Sequence, residues 1–319
     1  MIFAIFWQTS RPILKLSGAH FANLRLMPFI MIWLWIEPYF CSILDLGPIL
    51  RQISFPLQSW CAAQISPGIH SELTAAMVCG IDPSSSAALV FQQSGLYHLL
   101  VVSGGHLAFF VGLMQPLERR RLFSWVILIF LIFYTLLCGA QPPVVRALLQ
   151  WFLSQHRHKL GLHSHSALIT WYSGILCLSL VPSWVHSLSF WLSWLATLAC
   201  QAAVTLQLST GLSVLLIHLV LLPGLLNLGS AHPLSVVNNW LFAPLLSGAL
   251  LPLCLLTTFI PPLTFLSDGA WSLLLSILEP LNQLATTTSE PVSKSFLIFY
   301  VLLMQILAWQ GWIWWQRRF

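Results

Sequence analysis

Apolar runs recur from one end of this chain to the other, and charge is confined to short clusters between them. No other feature constrains the fold so strongly. A helix that crosses a bilayer needs roughly 20 mostly apolar residues, because hydrocarbon offers no partner to an open backbone N–H or C=O. Only 7% of the 319 residues are charged and 58% are hydrophobic, whereas a soluble domain carries about 25% charged residues. The predicted fold is all-α: a polytopic transmembrane helical bundle of about ten spans, with broken or re-entrant helices and an interfacial amphipathic helix. Little chain is left for a soluble domain.

The first long apolar segment is 27–47, preceded by Arg11, Lys15 and Arg25 and interrupted by Glu37 and Asp45. Residues 51–65, of mixed polarity, predict a helix lying in the membrane interface. Residues 66–93, turn-rich around "GIDPSSSA", predict a short loop or a re-entrant piece. Further apolar segments follow at 98–117, 122–139, 142–155, 165–182, 185–203, 206–226, 236–258, 265–285 and 295–315. Basic clusters sit at Arg119–Arg121, Arg157–Lys159 and Arg317–Arg318. Counting crossings from a cytoplasmic N-terminus puts each of them, and the C-terminus, on the cytoplasmic side, as the positive-inside rule requires. The prolines of the second half, Pro244 and Pro252 among them, predict broken helices, which membranes tolerate only beside protein or a water-filled cavity. No convincing cleavable signal peptide precedes the first span.

The seven cysteines are scattered without a CxxC pair. They read as small buried apolar residues, with neither a disulfide framework nor a thiolate metal site expected. No metal or cofactor is expected elsewhere. Four histidines and two cations in "HRHKLGLHSHS", His156–Ser166, suggest a metal site, but a solvated turn between spans explains them better, and no carboxylate lies nearby.

Three stretches carry polar groups that are costly in hydrocarbon. "SGLYHLLVVSGGH", Ser94–His106, pairs Ser-Gly with a later His twice. On a helix Ser94 and His98 share a face, as do Ser103 and His106, and Gly104–Gly105 let a backbone or ligand approach His106. Helix packing by small residues is the competing explanation. Arg146, in "QPPVVRALLQW", sits inside an apolar stretch, where a charge costs about 2.5–3.5 kcal/mol on insertion scales. It either snorkels to the outer interface or lines a pathway. Asn238 and Asn239 open the segment "NNWLFAPLLSGALLP", which reads as a broken helix headed by an amide.

Taken together these segments resemble the competence-domain signature of ComEC-type DNA-uptake proteins. "QQSGLYHLLVVSGGHLAFFVGL" is similar to the family's Ser/Thr-Gly-x-x-His-Leu-Leu run followed by Ser-Gly-x-His. "PPVVRALLQ", "FWLSWLAT" and "NNWLFAPLLSGALLP" resemble three further family segments, in the family's order. Gly105 stands where the family usually has Leu, and Trp191 where it usually has Gln. The chain has no room for the OB-like domain or the metallo-β-lactamase-like domain of fuller members, so no nuclease function is expected here. The expected organisation is a cytoplasmic N-terminal segment and first transmembrane helix at 1–50, the interfacial helix at 51–71, and a competence-type channel domain at 72–319.

The resemblance implies an integral channel of the bacterial cytoplasmic (inner) membrane that carries single-stranded DNA inward during transformation. It implies partners besides DNA and the lipid bilayer: a DNA receptor, a cytoplasmic motor and a separate nuclease. The residues it marks for the DNA path are Ser94, Gly95, His98, Ser103, Gly104, His106, Arg146, Ser193, Asn238 and Pro244. A polyanion needs cationic or hydrogen-bonding walls, which these residues supply. A small-solute permease is the alternative, although no repeated halves are evident. An intramembrane hydrolase using Ser103 with His98 or His106 is disfavoured, because Ser and His three apart on one helix project side by side. No catalytic residues are expected.

Overall fold

A computed structural model describes residues 45–101, 103–115, 121–157, 166–228 and 232–283, together with 296, 300, 303 and 304. Most of the first apolar segment, Arg119, Arg120, the histidines at 158, 163 and 165, and the Arg317–Arg318 cluster lie outside these residues. Every secondary-structure element described is helical. In chain order they are α1 (Gly47–Ala63), α2 (Ser71–Cys79), α3 (Ser86–Gln93), the single turn α4 (Tyr97–Leu100), α5 (Gly104–Met114), α6 (Arg121–Leu137), α7 (Pro142–His156), α8 (Ser166–Leu180), α9 (Leu188–Thr205), α10 (Thr210–Asn227), α11 (Pro233–Leu245), α12 (Leu251–Phe259) and α13 (Thr264–Gln283).

Among the described residues, three helices are long and apolar enough to cross a membrane: Leu188–Thr205, Thr210–Asn227 and the continuous stretch Leu234–Phe259. Shorter apolar helices occupy 104–114, 123–137 and 169–180. Many large side chains on their outer faces are exposed and apolar, among them Trp125, Ile129, Leu212 and Leu219. A soluble protein does not leave such a surface to water, so this is a membrane protein.

The helices bury three apolar centres. One joins α8, α9 and α10 around Trp194, whose ring stacks on Trp191 with centroids 5.6 Å apart. The second joins α2, α3, α11, α12 and α13 around Trp271. Trp271 is fully buried, meets Phe91 edge to face, and donates its indole N–H to Thr74 Oγ1 at 3.0 Å. The third joins α5, α6 and α7. Phe109 of α5 packs against both the second and the third. Leu255 of α12 does the same.

The structure departs from four sequence expectations. The segment 98–117 is not one helix. Gly95 takes a left-handed turn (φ 77°), Val101 and Ser103 are extended, and the chain restarts as α5. Ser94 therefore caps the end of α3 while His98 lies in α4, and Ser103 caps α5 from outside, so neither Ser–His pair shares a helix face.

Residues 66–93 are not a loop. They form α2 and α3, and their hydrogen bonds run the length of α13, from Asp268, which accepts from the Ile69 and His70 amides, to Asn282, which donates to the Val90 carbonyl.

The segment 236–258 is not broken at its prolines. Pro252 would leave the Gly248 carbonyl without its N–H and crowd the turn before it. The chain answers with a π turn at Leu246–Leu250, and the helix continues.

Finally, Cys61 and Cys79 form a disulfide, with Cα atoms 5.9 Å apart across an 18-residue separation. No short cysteine motif announces it. The bond exists because the packing of α1 on α2 brings two distant cysteines together.

Glu72 ties the start of α2 to the α2–α3 connection by accepting from the Ser84 amide (2.5 Å) and hydroxyl (2.8 Å). These bonds favour the ionised form and hold its carboxyl below the ordinary value of 4.5. A depressed folded-state value means that this tether is fully present above pH 4.5 and is lost as pH falls through the lower folded value. Protection from hydrogen exchange at 72–84, relative to the intrinsic rate at each pH, is therefore expected to fall as pH drops through that lower value, and Glu72→Gln is expected to remove that acid dependence.

Candidate functional site

Arg146 lies at the meeting of α5, α7 and α9. The α6–α7 turn reverses the chain through two positive-φ residues, Gly139 and Ala140. Pro142 and Pro143 then start α7, where their missing N–H groups cost nothing. That start places Arg146 one turn into α7, 2% exposed. Its Nε and Nη2 donate to Ser193 Oγ at 3.2 and 3.0 Å, Nη2 donates to Thr197 Oγ1 at 2.8 Å, and Nη1 donates to Gln150 Oε1 at 2.7 Å. Ser193 and Thr197 are four apart on α9 and share one face. Thr197 spends its own proton on the Ser193 carbonyl, which turns a lone pair to the guanidinium.

All these partners are neutral. Among the described residues no carboxylate pairs with Arg146. A buried cation held only by dipoles keeps its net charge, and such burial is costly unless an anion completes it. The geometry also excludes the snorkelling alternative, because every hydrogen bond anchors the head group inside the bundle.

Gly104 brings the N-terminus of α5 to the same place. A Cβ built there would lie 3.2 Å from the Ala147 Cβ, 3.4 Å from the Pro143 carbonyl oxygen and 3.6 Å from Ser193 Oγ. Only glycine allows this approach without displacement. Ser103 and His106 form a capping box at that helix end: Ser103 Oγ accepts from the Gly105 amide at 3.2 Å, and His106 Nδ1 accepts from the Ser103 amide at 3.4 Å. His106 is fully buried, and its Nε2 has no hydrogen-bond partner among the described residues.

The Ser94–Gly95 turn belongs to a second group. Asn238 Nδ2 donates to the Ser94 carbonyl at 3.0 Å, and Asn239 Nδ2 donates to the Gly95 carbonyl at 3.2 Å. Ser94 Oγ donates to the Phe91 carbonyl. The Asn-Asn pair is thus a clamp on the turn that follows α3. His98 is half-buried in α4. Pro244 lies on the exposed face of α11.

The four sequence segments therefore converge in two groups that share the first segment. Gly104, Arg146 and Ser193 assemble one group; Ser94, Gly95 and Asn238 assemble the other, and α4–α5 connects them. Gln150, Thr197 and Asn239 were absent from the sequence candidates although each flanks one. Helical spacing marks the first two, since Gln150 follows Arg146 by four residues and Thr197 follows Ser193 by four.

A helical membrane bundle with a buried, uncompensated guanidinium is the class these features define. The family model described as Competence protein matches residues 82–318, and the chain belongs to that family. A protein described only as uncharacterized, from Aquifex aeolicus (strain VF5), is 30% identical over 203 residues, covering 60% of this chain. The matched region spans 48% of that relative, about half its length. No solved structure matches.

Proposed function

We propose that this chain forms the transmembrane path for one strand of DNA across the bacterial cytoplasmic membrane, and that Arg146 contacts the passing phosphates. The observation that carries this reading is the buried guanidinium without a counter-charge. The phosphate backbone supplies a negative charge at every nucleotide, and a guanidinium binds phosphate oxygens through paired N–H groups. The adjoining N-terminus of α5 adds the positive end of a helix dipole, which favours the same anion. Because the partners of Arg146 are neutral, an arriving phosphate exchanges dipoles for a charge without breaking an ion pair. Gly104 keeps the helix end close to that contact.

About ten crossings with both termini cytoplasmic fit the charge pattern, and the disulfide supports the same orientation independently. Gln141 of the α6–α7 turn donates to the Gly80 carbonyl, and Gln58 donates to the Cys79 and Gly80 carbonyls. The disulfide end of α2 is thus tied to the turn opposite the basic clusters at Arg121 and Arg157. Disulfides persist on the oxidising side of the membrane, and basic clusters stay on the cytoplasmic side. Cysteine scanning with an impermeant thiol reagent is expected to label positions 120 and 318 only from the cytoplasm and position 292 from outside. The background should retain Cys61 and Cys79 and remove the other five cysteines. External labelling at 120 or 318 refutes this topology.

Substrate movement needs no catalytic group in this reading. Ser103 and His106 are committed to capping α5 rather than to each other as nucleophile and base. A cytoplasmic motor, a DNA receptor and a nuclease would act as separate partners. The test is a clean deletion complemented by this chain: restored transformation supports the assignment, and normal transformation without the chain overturns it.

A further inference from the structure

We propose that the paired ends of α6 and α7 hold the headgroup of an anionic phospholipid, whose acyl chain lies along the outer face of α6. The basic clusters sit at this end, so the topology proposed above puts the lipid in the cytoplasmic leaflet. Nothing else in the inference rests on the DNA path.

α6 has two faces. Ile127, Leu131 and Tyr134 recur at helical spacing and are buried in the third apolar centre. Trp125, Ile129, Ile132 and Phe133 recur at the same spacing on the other side and are exposed. From Trp125 to Phe133 this stripe runs about 12 Å at about 1.5 Å per residue. That is close to half of a hydrocarbon core about 30 Å thick. The stripe therefore matches the depth of one leaflet, and it starts one turn from the basic end.

At that end aromatic rings join the two helices. His156, the last residue of α7, stacks on Phe152 with ring centroids 4.4 Å apart, and its centroid lies 6.5 Å from that of Trp125. His156 Nδ1 donates to the Phe152 carbonyl at 3.0 Å, which holds the ring in place. Arg157 follows directly, partly exposed and without an ion pair among the described residues. In sequence the two helix ends carry Arg119, Arg120, Arg121, Arg157 and Lys159 against one acid, Glu118.

These three parts match the three parts of an anionic lipid. Exposed Trp125 suits the headgroup level, the cations attract the phosphate, and the stripe beneath covers the chain. Single-stranded DNA would satisfy the cations and the rings, but it would set a polyanion beside Ile129 and Phe133. The apolar continuation favours lipid.

The test uses the purified full chain in a neutral detergent, with thermal unfolding followed by tryptophan fluorescence. Dioleoylphosphatidylglycerol is titrated against dioleoylphosphatidylcholine. The midpoint is expected to rise more with the anionic lipid than with the zwitterionic one. Arg157→Gln is expected to raise the half-saturating phosphatidylglycerol concentration about fivefold. Trp125→Leu, which keeps the stripe apolar, is expected to raise it about threefold. Arg51→Gln, which removes an exposed cation from α1, is expected to leave it unchanged. An equal response to both lipids overturns the proposal, as does a response that Arg157→Gln and Trp125→Leu weaken no more than Arg51→Gln does. A midpoint raised through Arg157 and Trp125 by a single-stranded oligonucleotide, and not by phosphatidylglycerol, also overturns it and gives this surface to DNA. Transformation is not read, so failure here leaves the DNA path untouched.

Discussion

Replacing Arg146 with Met is expected to lower transformation about 100-fold or more, which corresponds to roughly 2.7 kcal/mol of lost stabilisation of the strand in transit. Membrane abundance is expected to stay near normal. Methionine fills similar volume, and replacing a buried charge with an apolar group is often neutral or stabilising. Ser193 Oγ loses two donors and Thr197 Oγ1 one, and Thr197 keeps its own bond to the Ser193 carbonyl. Arg146→Lys is expected to be impaired as well. An ammonium is a point charge and does not reproduce the fork that reaches Ser193, Thr197 and Gln150 together. Transformation frequency measured beside immunoblotted membrane protein separates the outcomes. Normal uptake per molecule in Arg146→Met would reduce Arg146 to a packing residue.

Gly174→Ala is expected to have the largest effect on the fold. A Cβ at this position would lie 2.2 Å from Trp194 Cε2 and 2.3 Å from Cζ2. Trp194 has nowhere to go: it is fully buried and held by Trp171, Phe190 and Trp191, with ring centroids 5.6, 5.5 and 5.6 Å away. Overpacking of this kind costs typically 1–3 kcal/mol, and the rigid ring puts this site at about 3 kcal/mol or more. Folded protein recovered from the membrane should fall several-fold. Gly248→Ala and Gly269→Ala serve as controls, because nothing lies within 4 Å of a Cβ at either position. They are expected to accumulate normally, since alanine is the better helix former.

The helical class was legible because hydropathy and charge scarcity act over whole segments. Apolar segments at 122–139, 142–155 and 206–226 correspond closely to the helices α6, α7 and α10, where uniform apolar sequence meets clear stops. The segment 98–117 misled for a local reason. Its composition is that of a helix, but Ser103 prefers to cap and Gly95 supplies a left-handed turn, and these choices override the apolar average. Pro244 and Pro252 misled in the opposite direction. Proline removes one hydrogen bond, yet a π turn absorbs that loss, and periodicity does not announce π turns. The disulfide was illegible because it depends on tertiary approach alone.

Arg146, Ser193 and Gly104 were individually legible from cost and resemblance. Their convergence was not, because residues from three helices meet there and a linear sequence contains no distance. The Asn238–Asn239 clamp shows the same limit: a pair read as the head of a broken helix fastens the turn 144 residues earlier in the chain.

The most direct measurement is strand transfer by the chain itself. Purified protein is reconstituted in liposomes under an inside-positive potential, and a labelled single-stranded oligonucleotide is offered outside. The DNA that survives added nuclease is then counted. Protected DNA with the wild-type chain, and its loss with Arg146→Met, is the predicted result. Protection no greater than in protein-free liposomes, or equal protection in both proteins, would contradict a DNA path past Arg146.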